Sequence, residues 1–198
     1  MKKILKLLKI LITGKVFYNK PPKKKIIIYN TKSENIISHL FEKEEYYVLD
    51  VSLTKINFFI ILKLIFNFKK LNFQNYFCEF IKQINPEYVF TFIDNDISYY
   101  KLKKELNNIK FISIQNGIRF ISGDILENFK TDKKIYFIDH YFTFDEKYTN
   151  AISKHIKGNY SVIGSFRNNS FPINKNYEKG SICYISRMAD IFLDFSNT

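Results

Sequence analysis

The sequence predicts an α/β domain built on a mostly parallel sheet with helices on both faces. Three observations lead there. KIIIY (25–29), YVFTFIDN (88–95) and KFISIQNG (110–117) are apolar runs of strand length, too short for core helices. Segments with helical spacing of apolar residues alternate with them. The last two runs end in polar residues, at the carboxyl ends of strands where open α/β sheets hold their ligands.

Composition narrows the function classes. A hydrophobic fraction of 46% supports a sizeable core and argues against disorder. At 198 residues the chain holds one ordinary domain and the start of another. The net charge of +12 raises nucleic acid as a partner, but its distribution argues against it. Residues 1–25 carry nine Lys and no acid, and the remainder is nearly balanced. The 21 Phe, 14 Tyr and abundant Lys follow the bias of an AT-rich genome and carry no functional weight. Cys78 and Cys183 stand apart among apolar neighbours, which predicts buried free thiols in a reducing compartment.

Along the chain, KKILKLLKILI (2–12) is a short amphipathic helix pattern with a basic face. It suits either a foot on an anionic membrane or a helix packed on the domain. Pro21-Pro22 breaks the chain. KIIIY is then a strand covered on both faces. Thr31-x-x-Glu34 forms a capping box for a helix reaching about Glu45, and Tyr46–Val51 is the next strand. The 56–68 stretch, INFFIILKLIFNF, is too short to span a bilayer and predicts a buried or membrane-facing helix, the buried one favoured. Leu71–Ile84 is another helix, stopped at Asn85-Pro86. Strand 88–95, helix 96–108 and strand 110–117 follow. After an irregular 118–134 come a strand over 134–144, a helix from Asp145 to about Ile156, a turn at Gly158-Asn159 and a short strand at 160–163. Residues 167–180 read as a linker, and SICYIS begins a further unit over 181–198. The domain proper is thus 23–166, after a basic segment over 1–22.

The layout is Rossmann-like, yet no G-x-G-x-x-G follows the first strand, where Asn30-Thr31-Lys32-Ser33 stands. Without those glycines a pyrophosphate cannot approach the backbone, which excludes a nicotinamide dehydrogenase. A P-loop is absent too, and no cofactor is expected. Asp94-Asn95-Asp96 matches D-x-D, which can hold a divalent cation on a diphosphate. The alternative is a strand ending at Asp94 with Asp96 capping the next helix, so no metal is assigned. Gln115-Asn116-Gly117 offers amides for sugar hydroxyls or phosphate and a glycine for close approach; a plain N-G turn explains it equally. Gly164-Ser165 with Arg167-Asn168-Asn169 is a phosphate contact or a hinge. His140, at a strand end, is the one histidine worth testing as a base. No catalytic residue is assigned.

The segments NPEYVFTFIDND (85–96), YKLKK (100–104), KFISIQNGIR (110–119) and IGSFRNN (163–169) resemble a family of bacterial surface carbohydrate (capsule and O-antigen-type) biosynthesis proteins. These are glycosyltransferases of the two-Rossmann-domain (GT-B) layout, and the resemblance runs from about Lys25 to Ser186. It implies sugar transfer from a nucleotide-sugar to a glycan acceptor hydroxyl. The present domain is the acceptor-side N-terminal half, and a C-terminal partner domain binds the donor. The substrate-binding residues it points to are Asp94, Asn95, Gln115, Asn116 and Gly117. It further implies a cytoplasmic protein, peripheral at the inner face of the membrane, incomplete in this chain and inactive alone. The competing expectation is a non-catalytic membrane-associated binding or scaffold domain.

Overall fold

The computed structural model describes residues 15–119, 129, 131 and 134–169. Their strands are β1 (Lys15–Phe17), β2 (Ile26–Tyr29), β3 (Tyr46–Leu49), β4 (Lys55–Asn57), β5 (Tyr88–Thr91), β6 (Lys110–Ile114), β7 (Tyr136–Thr143) and β8 (Ile156–Val162). Their helices are α1 (Thr31–Ile37), α2 (Phe58–Phe66), α3 (Phe73–Ile84), α4 (Ile97–Glu105), α5 (Glu146–Ile152) and α6 (Phe166–Asn169). The expected segments over 1–14, the linker beyond 169 and the unit over 181–198 lie outside the described residues.

Six strands form one sheet in the order β3-β2-β5-β6-β7-β8, and every pairing is parallel. The first βαβ unit grows to one side of β2 and the rest of the chain to the other. The direction of winding therefore reverses between β2 and β5. All four β2 residues are buried, as a central parallel strand requires. Alternation along the strands splits the core in two. Ile27, Tyr29, Val89, Phe111 and Tyr141 face α2, α3, α4 and α5. Ile28, Phe92 and Ile114 face α1 through Ile37, with Phe166 of α6 packed on the same cluster.

The larger face is built on tyrosines, and each buried hydroxyl has a partner, as burial demands. Tyr99 donates to the carbonyls of Val89 (2.7 Å) and Ile112 (2.9 Å). Burial drives its phenol far above the ordinary range, so it remains a donor. Cys78 is buried on the same side, and burial pushes its thiol up to about 11. Cys183 lies outside the described residues.

Several boundaries differ from the sequence reading for physical reasons. Asn30, not Thr31, caps α1; it accepts from the Lys32 N–H and sits at φ 78, a conformation Asn tolerates better than Thr. The helix runs to Ile37 and finishes in a 3₁₀ turn at Ser38–Leu40, short of Glu45. The apolar 56–68 stretch opens as β4, which pairs with β1 in a separate two-stranded parallel sheet. The helix that follows buries Ile60, Ile61 and Leu64 but exposes Leu62, Ile65 and Phe66. Gly158-Asn159 does not turn the chain. Both lie inside β8, beside a register shift in β7 between Phe137 and His140. There the Ile138 carbonyl oxygen comes within 2.1 Å of where a Cβ on Gly158 would sit, so only glycine fits. Among the described residues no helix is long and apolar enough to cross a membrane.

α2 and α3 are joined by one buried carboxylate. Glu79, 4% exposed, meets the Lys63 ammonium at 3.1 Å and the Lys69 ammonium at 3.2 Å, and accepts from the Gln83 amide at 3.1 Å. Burial alone would raise this carboxyl, but the hydrogen bonds and charges of Lys63 and Lys69 outweigh it and hold the group below its usual 4.5. A depressed folded value means the stabilisation is whole above the unfolded value and is lost as pH falls through the folded one. Glu79→Gln is expected to lower the melting temperature at neutral pH by about 2–4 °C. It is also expected to flatten the acid limb of a stability–pH profile below about pH 4.5; an unchanged acid limb would show that Glu79 contributes nothing.

Candidate functional site

The carboxyl edge of the sheet carries most of the polar residues singled out above. β5 ends at Thr91, three residues earlier than a strand reaching Asp94 would, and the chain turns through Asp94-Asn95 into α4. Asp96 caps α4 by accepting from the Ser98 N–H at 2.9 Å.

Asp94 is fully buried, yet none of its oxygens lacks a donor. Oδ2 accepts from the Tyr141 hydroxyl at 2.9 Å and from Arg119 Nε at 3.2 Å. Oδ1 accepts from Arg119 Nη2 and from the Asn116 backbone N–H, the latter at 3.4 Å. The Asp94 carbonyl accepts from the Tyr100 hydroxyl at 2.8 Å. Tyr141 lies 3.2 Å from Tyr148, hydroxyl to hydroxyl. Burial raises the phenols of Tyr100 and Tyr141 well above their ordinary range, and the Asp94 charge raises them further. Both therefore stay protonated and donate. A two-point guanidinium–carboxylate pair is the geometry that best compensates a charge taken out of water.

Gln115 is 1% exposed and used at both ends. Its backbone N–H donates to the Phe142 carbonyl at 2.9 Å, its Oε1 accepts from the Phe144 N–H at 2.7 Å, and its Nε2 donates to the Gly117 carbonyl at 2.8 Å. It fastens the end of β6 to the end of β7. Asn95 and Asn116 are exposed, and Gly117 is half-buried. Gly117 is outside the left-handed region, and a Cβ there would meet nothing within 4 Å. Close approach from solvent is open at Gly117, and no unusual backbone is required of it. The five residues thus divide. Asp94 and Gln115 turn inward and lock two neighbouring loops together. Asn95, Asn116 and Gly117 face out from those loops.

The two carboxylates of Asp94-Asn95-Asp96 serve different neighbours. Asp94 is held on the β6–β7 side, whereas Asp96 accepts from the Tyr29 hydroxyl at 3.1 Å, on the β2 side. Burial and then the Asp96 charge keep the Tyr29 phenol protonated far above its usual range. No cluster of three or more metal-ligating side chains occurs among the described residues.

Tyr29 and Asp96 line a cavity of about 670 Å³ at the β2–β5 reversal, with Ser52, Gln74, Ser98 and Lys101 on its walls. A crevice at that point is where open α/β sheets accept ligands, and the volume suits a small molecule. A second cleft of about 460 Å³ runs beside β3 under the β1–β4 ribbon, lined in part by Tyr47, Asp50, Asn57 and Tyr76. Sequence reasoning did not select Tyr29, Lys101 or Arg119. A signal for Arg119 existed: an Asp at the end of an apolar run needs a cation once buried.

His140 lies inside β7, three residues before its end, so roughly 10 Å back from the rim. Its Nε2 is 3.0 Å from the Ser161 hydroxyl on β8, and its ring is 4.5 Å from that of Phe142. Gly164 turns the chain out of β8 at φ 71, and the Ser165 hydroxyl accepts from the Asn168 N–H at 3.3 Å as α6 begins. Arg167 and Asn168 are exposed.

Residues 112–191 match a family described as "putative O-antigen biosynthesis protein". The matched stretch starts inside β6 and takes in the Gln115–Arg119 loop, β7, α5, β8 and α6. It supports a place in surface carbohydrate biosynthesis. No curated protein and no solved structure matches the chain significantly.

The division of roles at the rim is measurable by urea unfolding. Asp94→Ala leaves Arg119 without its carboxylate and is expected to cost about 3–5 kcal/mol. Tyr141→Phe should cost about 1–3 kcal/mol. Asn116→Ala removes only an exposed amide and should stay within about 0.5 kcal/mol of the parent. Equal costs for Asp94→Ala and Asn116→Ala would refute the division.

Proposed function

We propose that this domain is the acceptor-side half of a glycosyltransferase that builds surface polysaccharide. The acceptor hydroxyl attacks the anomeric carbon of a nucleotide-sugar. The new glycosidic C–O bond forms as the bond to the diphosphate breaks, and the hydroxyl proton passes to a base. The donor side is supplied by a C-terminal partner domain, and the isolated half is inactive. The protein works in the cytoplasm against the inner face of the membrane.

The observation that carries this reading is the carboxyl edge itself: a crevice of mixed polarity at the β2–β5 reversal, and exposed amides at Asn95 and Asn116 on the loops that follow β5 and β6. Glycan hydroxyls need groups that both donate and accept, which Asn95 and Asn116 provide. Gly117 lets a sugar ring approach the backbone. Asp94 and Gln115 contribute by positioning, since both hold the loops that present these groups. The family match over residues 112–191 supports the pathway assignment.

Saturation-transfer NMR with surface-polysaccharide oligosaccharides and with nucleotide-sugars tests the proposal. Oligosaccharide binding is expected, weakened about tenfold or more in Asn95→Ala/Asn116→Ala with no change in melting temperature. Binding should survive chelator, because Asp94 is committed to Arg119 and Tyr141. Absence of oligosaccharide binding by the parent, or full binding by the double variant, would overturn the assignment of the rim.

A further inference from the structure

We infer that the end of α2 and the loop leading to α3 form a docking surface for an anionic lipid bilayer. The surface is apolar and strongly exposed. Phe68 is 98% and Phe66 76% exposed, and Leu62, Ile65, Leu71 and Phe73 in the same stretch of chain are exposed too. Scattered apolar residues are ordinary on a protein surface, but Leu62, Ile65 and Phe66 share one helix face and Phe68 follows just beyond the helix end, and a grouping of this kind marks contact with something apolar.

The helix end is built to hold it outward. α2 closes in a Schellman motif: the Phe68 N–H donates to the Ile65 carbonyl at 3.0 Å and the Lys69 N–H to the Leu64 carbonyl at 2.9 Å. The residue that must turn left-handed in such a motif is usually Gly. Here it is Phe68, at φ 52. A bulky ring in that conformation is strained, and complete exposure gives it no packing in return. Contact with an apolar phase would offset both costs.

Charge selects a lipid surface as that phase. Between residues 51 and 84 the chain carries five lysines (55, 63, 69, 70 and 82) and one acid, Glu79. Lys63 and Lys69 are paired with Glu79, and Lys70 stands exposed two residues after Phe68, so three lysines against one carboxylate leave a net positive charge beside the rings. The basic amphipathic pattern of residues 2–12 adds a second contact of the same type. Two weak anchors together are what stable peripheral binding takes. This inference rests on the membrane placement proposed above and gives it a surface; it does not depend on the carboxyl-edge crevice or on glycosyl transfer.

The chain contains no Trp, so Phe68→Trp introduces a single fluorescent reporter into the full-length protein. With phosphatidylcholine vesicles containing phosphatidylglycerol, its emission is expected to shift to the blue. With phosphatidylcholine alone, or at high salt, it should stay water-like. In co-sedimentation, Phe66→Ser/Phe68→Ser should bind the anionic vesicles about tenfold more weakly at unchanged melting temperature, because neither ring is packed. Three results would overturn the inference. The serine variant could bind as tightly as the parent, placing all affinity in residues 1–14. The Trp emission could be blue before vesicles are added, showing a segment of the chain covering the patch. The shift could instead track protein concentration without lipid, showing a second copy as the occupant.

Discussion

A single carboxylate taken out of water organises the functional edge of this protein. Burying an ion costs several kcal/mol unless its partners are in place, so Asp94 cannot be buried alone. It draws Arg119 and the Asn116 N–H from the loop after β6 and the Tyr141 hydroxyl from β7. Three consecutive positions of the sheet are thereby fixed to one point. Gln115 repeats the device with neutral groups between β6 and β7. The exposed residues on these loops inherit their geometry from buried neighbours. A site on loops is otherwise soft, and here the loops are braced from beneath.

The two faces of the sheet are unequal. Among the described residues, one carries α2, α3, α4 and α5, with Phe129 packed among them, and a cluster of tyrosines whose hydroxyls reach strand carbonyls and Asp94. The other, among the described residues, has α1 and the short α6. Tyrosine suits the thick face because it fills volume like Phe while carrying one donor. That donor adds a partner to backbone and carboxylate oxygens, which Phe has no group to do. The tyrosine content, ascribed to genome composition when only the sequence is considered, thus has a structural use at Tyr99, Tyr100 and Tyr141.

What was legible in the sequence follows from range. KIIIY, YVF and KFISI declare themselves because a strand covered on both faces is apolar throughout, and each is found in the main sheet. β1 and β4 escape because three residues carry no period. Gly158 reads as a turn because glycine punctuates chains, whereas its real role is contact with a carbonyl on another strand. The Asp94–Arg119 pair spans 25 residues and has no local signature. The exposed side of α2 was hidden for the opposite reason. A segment apolar all round has no polar stripe to show which side faces water.

The strand order has a bearing on how the chain is made. Beyond β5, each new strand takes the place beside the one just completed, β6 on β5, β7 on β6 and β8 on β7. Only the step from β3 back across β2 to β5 breaks this succession. Once that step is taken, the sheet can extend at the pace of the ribosome, with only its newest edge waiting for a partner. The pairing that closes the largest loop, β2 with β5, is also the one that creates the crevice. The longest loop to be closed and the ligand-sized opening therefore share one origin in the topology.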